Sequence, residues 1–111
     1  MERILQFAYD AIVFVGGYEY EGDDPEAQRI AQEALAEGRL VAAICVAPIT
    51  LARAGVVEGK RVTASTGVDV LKEAGAIFTG ASVERDGLII TANGPAAARQ
   101  FGEAIAAALA E

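Results

Sequence analysis

The sequence predicts an α/β domain with a mainly parallel β-sheet that helices cover on both faces. Residues 11–15 and 41–44 are short apolar runs, mostly of β-branched or small residues, which is typical of strands buried on both sides. Helical patterns separate such runs along the chain. A length of 111 residues, of which 53% are hydrophobic, suffices for one packed domain, and we assign residues 1–111 to it.

The first helix is predicted between an acidic loop and Gly38. Asp23 or Asp24 can cap its N-terminus, and Pro25 suits the first helical position. We expect the helix to end near residue 37, because Gly38 favours termination. Its apolar face has helical spacing and consists of Ala27, Ile30, Ala31, Ala34 and Leu35.

The second half of the chain continues the alternation in shorter elements. We expect helices at residues 48–54 and 68–74, a strand at 61–64, and weaker strands at 76–78 and 82–85. Asp86-Gly87 predicts a hairpin turn before a strand at 88–91. Pro95 opens the last helix, whose predicted apolar face consists of Ala98, Phe101, Ile105, Ala108 and Leu109.

The charge and composition argue against several function classes. The net charge of −7 comes without a basic stripe, so neither nucleic acid nor an anionic membrane is an expected partner. One cysteine cannot form an internal disulfide, and no secretory or membrane-spanning run occurs, which favours the cytoplasm. The chain has no histidine, the commonest general base and metal ligand, and we expect neither a metal nor an organic cofactor.

Cys45 is the strongest candidate for a chemical role. The buried run at residues 41–44 stops at this cysteine, and Pro48 then begins a helical pattern, which predicts a strand, a sharp turn and a helix. The nucleophile elbow of α/β hydrolases has the same geometry. The alternative is an inert core cysteine, because free cysteine often behaves as a small buried hydrophobe.

Two further positions are expected beside Cys45. Gly16-Gly17 ends the strand at 11–15, and Ser65 follows the strand at 61–64. Ligands of parallel sheets bind beyond the carboxyl ends of the strands, so Gly17, Cys45 and Ser65 are predicted to share one rim. For the paired glycines, a simple turn is the alternative.

The order of short motifs resembles the ThiJ/PfpI superfamily, which includes the parkinsonism-associated deglycase and shares the class I glutamine amidotransferase-like fold. The resemblance covers nearly the whole chain from Tyr9 onward. Its motifs are Tyr9-Asp10-Ala11, Gly16-Gly17, Ala42-Ala43-Ile44-Cys45, Pro48, Ala54-Gly55, Gly59-Lys60, Val62-Thr63, Asp86-Gly87-Leu88-Ile89-Ile90-Thr91 and Gly94-Pro95.

The resemblance implies a flavodoxin-like three-layer sandwich with Cys45 as the elbow nucleophile. It further implies that the amides of Gly17 and Val46 form an oxyanion hole. Ser65 stands where several relatives carry His or Tyr and is a candidate third group. Family members act as glyoxalases without added cofactor, deglycases, chaperone-like proteins, peptidases or hydratases, and the fold does not choose among these.

The sequence also departs from the family pattern. Relatives begin with about sixty more residues, which form the first strands and carry a glutamate that hydrogen-bonds the nucleophilic sulfur. We expect this chain to lack those strands. After Cys45 it has Val46-Ala47, and it has Asn93 where an arginine is common before Gly-Pro. Glu19 or Glu21 is the candidate replacement acid, with a solvated acidic loop as the alternative.

Two function classes follow. The first is a cysteine-dependent enzyme that acts on small reactive carbonyls such as methylglyoxal, glyoxalase- or deglycase-like, or a related cysteine hydrolase. The second is a noncatalytic protein: half of a split protein, a minimal or engineered fragment of the fold, or an assembly or redox-responsive module.

The missing first strands also bear on the partners of the chain. In this family the first strand normally pairs with the strand at residues 11–15. We therefore expect that edge to be covered by a second copy in a homo-oligomer, by a complementary chain, or by residues 1–8.

Overall fold

The computed structural model describes residues 10–16 and 23–111. Within these residues the strands are β1 (Ala11–Val15), β2 (Leu40–Ile44), β3 (Arg61–Val62), β4 (Ile77–Phe78), β5 (Val83–Asp86) and β6 (Ile89–Ala92). The helices are α1 (Pro25–Ala36), α2 (Pro48–Arg53), α3 (Val68–Glu73) and α4 (Ala98–Leu109), the last preceded by a 3₁₀ turn at Pro95–Ala97. None of these helices is long and apolar enough to cross a membrane.

The main sheet is mostly parallel, as predicted. Its strand order is β1-β2-β6-β5, in which β1, β2 and β6 run parallel and β5 runs antiparallel beside β6. Strands β3 and β4 form a separate parallel pair. In the register, Val15 lies beside Ile44 and Ile44 beside Ala92, so the carboxyl ends of three strands meet at one edge.

Helices cover the two faces of β2, which is buried throughout and forms the middle of a three-layer sandwich. Val41 and Ala43 belong to a core shared with α1, α2 and α3. The alternate residues, including Ala42 and Ile44, belong to a second core with Phe101 of α4. This division follows from the strand's period of two, which sends successive side chains to opposite faces.

Helix α1 begins as predicted and ends close to the expected position. The Asp24 side chain accepts a hydrogen bond from the Glu26 N–H at 2.9 Å, and Pro25 occupies the first turn. Ala31 and Ala34 are its buried residues, and the helix ends at Ala36, one residue before the expected end. Gly38 follows with a positive φ of 75°.

The predicted apolar face of α4 is partly wrong. Phe101 is buried and Ile105 packs against the same core, but Ala98 is exposed and the Leu109 side chain is 48% exposed. Helical spacing identifies a stripe but not how far the sheet extends beneath it. Ala98 and Leu109 therefore contribute little to the contact, whereas Ala108, the remaining residue of the predicted face, packs against the core.

The predicted strand at residues 61–64 is also too long, because the structure ends β3 at Val62. The Thr63 N–H donates to the Thr91 side-chain oxygen at 2.9 Å, and the Thr63 hydroxyl donates to the Ala81 carbonyl at 2.6 Å. Both threonines are buried. Beyond Val62, side-chain hydrogen bonds therefore replace the backbone hydrogen bonds of the β3–β4 pair, and the bond to Thr91 connects this segment to β6.

The hairpin between β5 and β6 forms at the predicted place. Asp86 pairs with Ile89, so Gly87 and Leu88 are its central residues. Strand β6 consequently begins at Ile89, whereas the sequence pattern places its start at Leu88. Gly87 has a φ of 62°.

Candidate functional site: the Cys45 elbow

The turn between β2 and α2 holds Cys45 in a left-handed backbone conformation. Its φ is 65°, and among the described residues no other non-glycine residue has a positive φ. The Ala47 N–H donates to the Ile44 carbonyl at 3.1 Å, which closes a four-residue turn with Cys45 and Val46 at its centre. Only the first central residue is left-handed, which is the type II′ pattern, and glycine normally occupies that position.

Pro48 then begins α2 directly after the turn. Its fixed φ suits a first helical position, and Ala47 precedes it without a side-chain cap. Both residues are buried. The predicted order of strand, sharp turn and helix is therefore confirmed. The end of the turn, at Ala47 and Pro48, is buried in the core.

Hydrogen bonds hold Cys45 between two other segments. The Cys45 N–H donates to the Ala92 carbonyl at 3.0 Å, and the Ser65 N–H donates to the Cys45 carbonyl at 2.9 Å. The thiol residue is partly buried and packs against the core on the α4 side. The structure thus brings Ser65 to the elbow through its backbone, while Ser65 itself is exposed.

The end of β1 lies against the same turn. A Cβ added at Gly16 would lie 2.6 Å from Val46 Cγ2 and 3.1 Å from the Val46 nitrogen, so only glycine fits this contact. Among the described residues, no oxygen accepts a hydrogen bond from the Val46 N–H. The elbow therefore has β1 on one side and β6 on the other.

Several residues that the sequence points to lie outside the described part of the chain. These are Gly17, the predicted second oxyanion-hole amide, Glu19 and Glu21, the candidate acids, and residues 1–8. Their roles stay predictions.

Sequence reasoning misses two features of the site. The paired glycines predict no more than a turn or an amide donor at Gly17, although Gly16 makes the close contact with the elbow. The apolar patterns place Thr63 and Thr91 in strands without a role, although this buried pair holds the segment leading to Ser65. Two threonines within apolar runs are the available signal, because a buried hydroxyl needs a partner.

A group of ion pairs lies at the opposite end of the sheet, around the β5–β6 hairpin. Arg85 binds Glu111 through its two terminal guanidinium nitrogens, Nη1 and Nη2, and this hydrogen bonding raises the pKa of Arg85 and lowers that of Glu111. The Arg61 N–H donates to Asp86 at 2.9 Å and lowers the pKa of that carboxyl. These groups stabilise the hairpin and are remote from Cys45.

Two open grooves flank the hairpin and share Leu88. One, of about 430 Å³, is lined in part by Leu40, Arg85 and Leu109. The other, of about 320 Å³, is lined in part by Leu35 and Lys60. In the described ranges, no three His, Cys, Asp or Glu residues are placed to hold a metal ion.

The fold and the elbow together define an α/β protein with a strained cysteine at the carboxyl edge of its sheet. The chain belongs to the DJ-1/PfpI family, whose family model matches residues 2–108. This confirms the resemblance drawn from the motifs.

Known proteins similar to the chain include two that are described as ThiJ/PfpI proteins and one that is uncharacterized. A ThiJ/PfpI domain protein from Brachyspira murdochii is 30% identical with a TM-score of 0.89, covering 94% of this chain and 62% of that one. A two-domain protein from Anabaena variabilis, with DJ-1/ThiJ/PfpI-like and ferritin-like domains, is 30% identical with a TM-score of 0.87, covering 95% and 31%. An uncharacterized protein from Methanocaldococcus jannaschii is 41% identical over 100 residues, covering 85% and 49%. The chain therefore spans about half the length of that relative.

Proposed function

We propose that the protein is a cysteine-dependent enzyme that acts on small reactive carbonyl compounds, with Cys45 as the nucleophile. The observation that carries this proposal is the left-handed backbone at Cys45. A side chain in this conformation costs about 1–2 kcal/mol relative to glycine. Strain of this kind concentrates at functional sites, where it aims a reactive group.

The groups around the thiol suit addition to a carbonyl. The Cys45 sulfur adds to the aldehyde carbon of methylglyoxal, and the electron pair of the broken C=O π bond moves to the oxygen as an oxyanion. The proton lost by the thiol then goes to that oxygen, which gives a hemithioacetal. The Val46 N–H, without an acceptor among the described residues, is our candidate donor to that oxygen, together with the Gly17 amide. Because these donors belong to the backbone, the chain needs no histidine for this step.

The later steps need a group that moves protons. Transfer of the hydrogen from the aldehyde carbon to the neighbouring carbonyl carbon converts the hemithioacetal into a thioester. Water then cleaves the thioester, which releases a hydroxy acid and regenerates the thiol, so that one water is consumed and no oxidant is required. Glu19 or Glu21 is our candidate for the proton transfer, and Ser65 for positioning the substrate. We place the activity in the cytoplasm, where an unpaired cysteine stays reduced.

Turnover of methylglyoxal by the parent chain and by Cys45→Ala tests the proposal. The expected result is loss of the catalysed rate to background in the variant. Ser82→Ala is the matched control and should leave the rate unchanged, because Ser82 is exposed and its backbone carbonyl, which the substitution keeps, accepts the Asn93 N–H. Equal rates for the parent and Cys45→Ala would refute a nucleophilic role for Cys45 with this substrate.

A noncatalytic assembly module is the second candidate function. The exposed valines of β1 favour it, since Val15 is 70% exposed. An absence of turnover together with concentration-dependent association would support this alternative.

A further inference from the structure

Two hydrogen bonds fix the peptide groups on either side of the Cys45 Cα atom. The Cys45 N–H donates to the Ala92 carbonyl at 3.0 Å, and the Cys45 carbonyl accepts from the Ser65 N–H at 2.9 Å. The first bond orients the peptide group that sets φ, and the second orients the one that sets ψ. A strained conformation persists only where its surroundings fix it. The left-handed backbone of Cys45 therefore depends on β6 on one side and on the Ser65 segment on the other.

The bond from Ser65 also orients the Val46 N–H, our candidate oxyanion donor. The Cys45 carbonyl and the Val46 N–H belong to one peptide group, and the described residues contain no cis peptide bond. In a planar trans peptide group the C=O and the N–H point in opposite directions. A carbonyl held toward Ser65 thus holds this N–H pointing away from Ser65. The accepted hydrogen bond also polarises the peptide group, which makes its N–H a stronger donor.

The position of Ser65 depends in turn on a buried pair of threonines. The Thr63 N–H, two residues before Ser65, donates to the Thr91 side-chain oxygen at 2.9 Å. Both threonines are 0% exposed, and Ala64 between Thr63 and Ser65 is buried as well. Because this pair is shielded from water, a Thr63 N–H that lost the Thr91 oxygen would stay unpaired unless the whole segment moved.

We propose that Thr91 is a positioning residue for the elbow, on which it acts through Thr63 and Ser65. Thr91 immediately precedes Ala92, the acceptor of the Cys45 N–H. One stretch of β6 therefore holds the elbow from both sides, directly through the Ala92 carbonyl and indirectly through the Thr91 hydroxyl. By fixing the segment that carries the Ser65 N–H, the hydroxyl fixes the peptide group that carries the candidate oxyanion donor. Its effect on turnover rests on the proposed function, whereas its effect on the backbone does not.

Amide hydrogen exchange of Ser65, followed by NMR, tests the effect on the backbone. Thr91→Val keeps the β-branched shape but removes the acceptor oxygen. The control for a general loss of stability is Val57→Ala, because Val57 is fully buried in the loop between α2 and β3. The two variants are compared at urea concentrations that give them equal free energies of unfolding. Under these conditions the Ser65 N–H should exchange at least about tenfold faster in Thr91→Val, and Thr91→Ser, which keeps the oxygen, should restore slow exchange.

Turnover of methylglyoxal tests the effect on catalysis. A misdirected oxyanion donor weakens binding of the transition state more than binding of the substrate. Thr91→Val should therefore lower kcat about tenfold or more, with KM within about twofold of the parent value. Thr91→Ser should recover most of the kcat. Val57→Ala, measured under conditions in which it is folded, should keep the parent's kcat, which separates positioning from stability.

Three results would overturn the proposal. They are equal exchange of Ser65 in Thr91→Val and Val57→Ala at equal stability, an unchanged kcat in Thr91→Val of an active parent, and a Thr91→Ser variant as impaired as Thr91→Val. A parent chain without turnover would refute the proposed function instead. The exchange rates would still decide whether Thr91 positions the elbow.

Discussion

The β2–α2 elbow and the β5–β6 hairpin contain turns of the same shape built from different residues. In each turn the first central residue is left-handed, Cys45 with a φ of 65° and Gly87 with a φ of 62°. The second central residue, Val46 or Leu88, is not. Glycine has no Cβ to clash in this conformation, whereas a side chain there is strained.

In the part of the chain that the structure describes, backbone strain is tolerated at the elbow but not at the other turns with a positive φ. Every other positive φ among the described residues belongs to a glycine, including those after α1, α2 and α3. A turn that only reverses the chain therefore uses glycine. The elbow keeps a side chain at the same cost, and this exception occurs where three strand ends meet.

Gly16→Ala should change the stability of the protein more than the other variants of these two turns, because residue 16 at the end of β1 contacts the elbow. The added Cβ would lie 2.6 Å from Val46 Cγ2 and 3.1 Å from the Val46 nitrogen, so the backbone of the turn has to move. We expect about 1–3 kcal/mol of destabilisation in urea unfolding and a fall in turnover. Gly102→Ala, with open space around it in α4, is the control and should stabilise by about 0.5–1 kcal/mol. A Gly16→Ala variant as stable as the parent would show that the contact is not tight.

Gly87→Ala should have the next largest effect, on the hairpin alone. The nearest atom to an added Cβ is Lys60 Nζ at 4.0 Å, so the cost comes from the positive φ and not from a clash. We expect about 1 kcal/mol of destabilisation by chemical unfolding, with turnover unchanged. A loss of turnover in this variant would contradict the separation of the two ends of the sheet.

The pH dependence of hairpin stability should show a smaller effect. The Arg61 N–H, with the charges of Lys60 and Arg61, lowers the pKa of Asp86 in the folded state below its unfolded value of about 3.9. The resulting stability is present above the unfolded pKa and is lost as pH falls through the folded pKa. Urea unfolding between neutral and acidic pH should therefore show a steeper loss below about pH 4 for the parent than for Asp86→Asn. Identical slopes would mean that Asp86 contributes nothing to the acid dependence.

Much of the fold could be predicted from the sequence, because local patterns determine it. The period of β2, the cap at Asp24 and the hairpin glycine all act through near neighbours along the chain. The end of β3 could not be predicted, since it depends on Thr91, which is 28 residues away from Thr63. The extent of the apolar face of α4 that contacts the sheet could not be predicted either, because it also depends on residues far away in the sequence.

The site was only half predictable. The abrupt end of an apolar run at Cys45 identified the elbow, because a strand and a helix must be joined by a turn there. Its left-handed backbone and the contact of Gly16 with Val46 arise from how β1, β2 and β6 are aligned. The spacing of residues along the sequence does not predict how these three strands are aligned.

The stability of Cys45→Gly against Cys45→Ala tests most directly whether the elbow bears strain in order to keep a side chain. Both variants lack the thiol, so their difference isolates a Cβ in the left-handed conformation, as the Gly87 and Gly87→Ala pair does at the hairpin. We predict that Cys45→Gly is more stable by about 1 kcal/mol in urea unfolding, matching the hairpin pair. A Cys45→Gly variant no more stable than Cys45→Ala would contradict the strain at Cys45 and remove the main support for a reactive elbow.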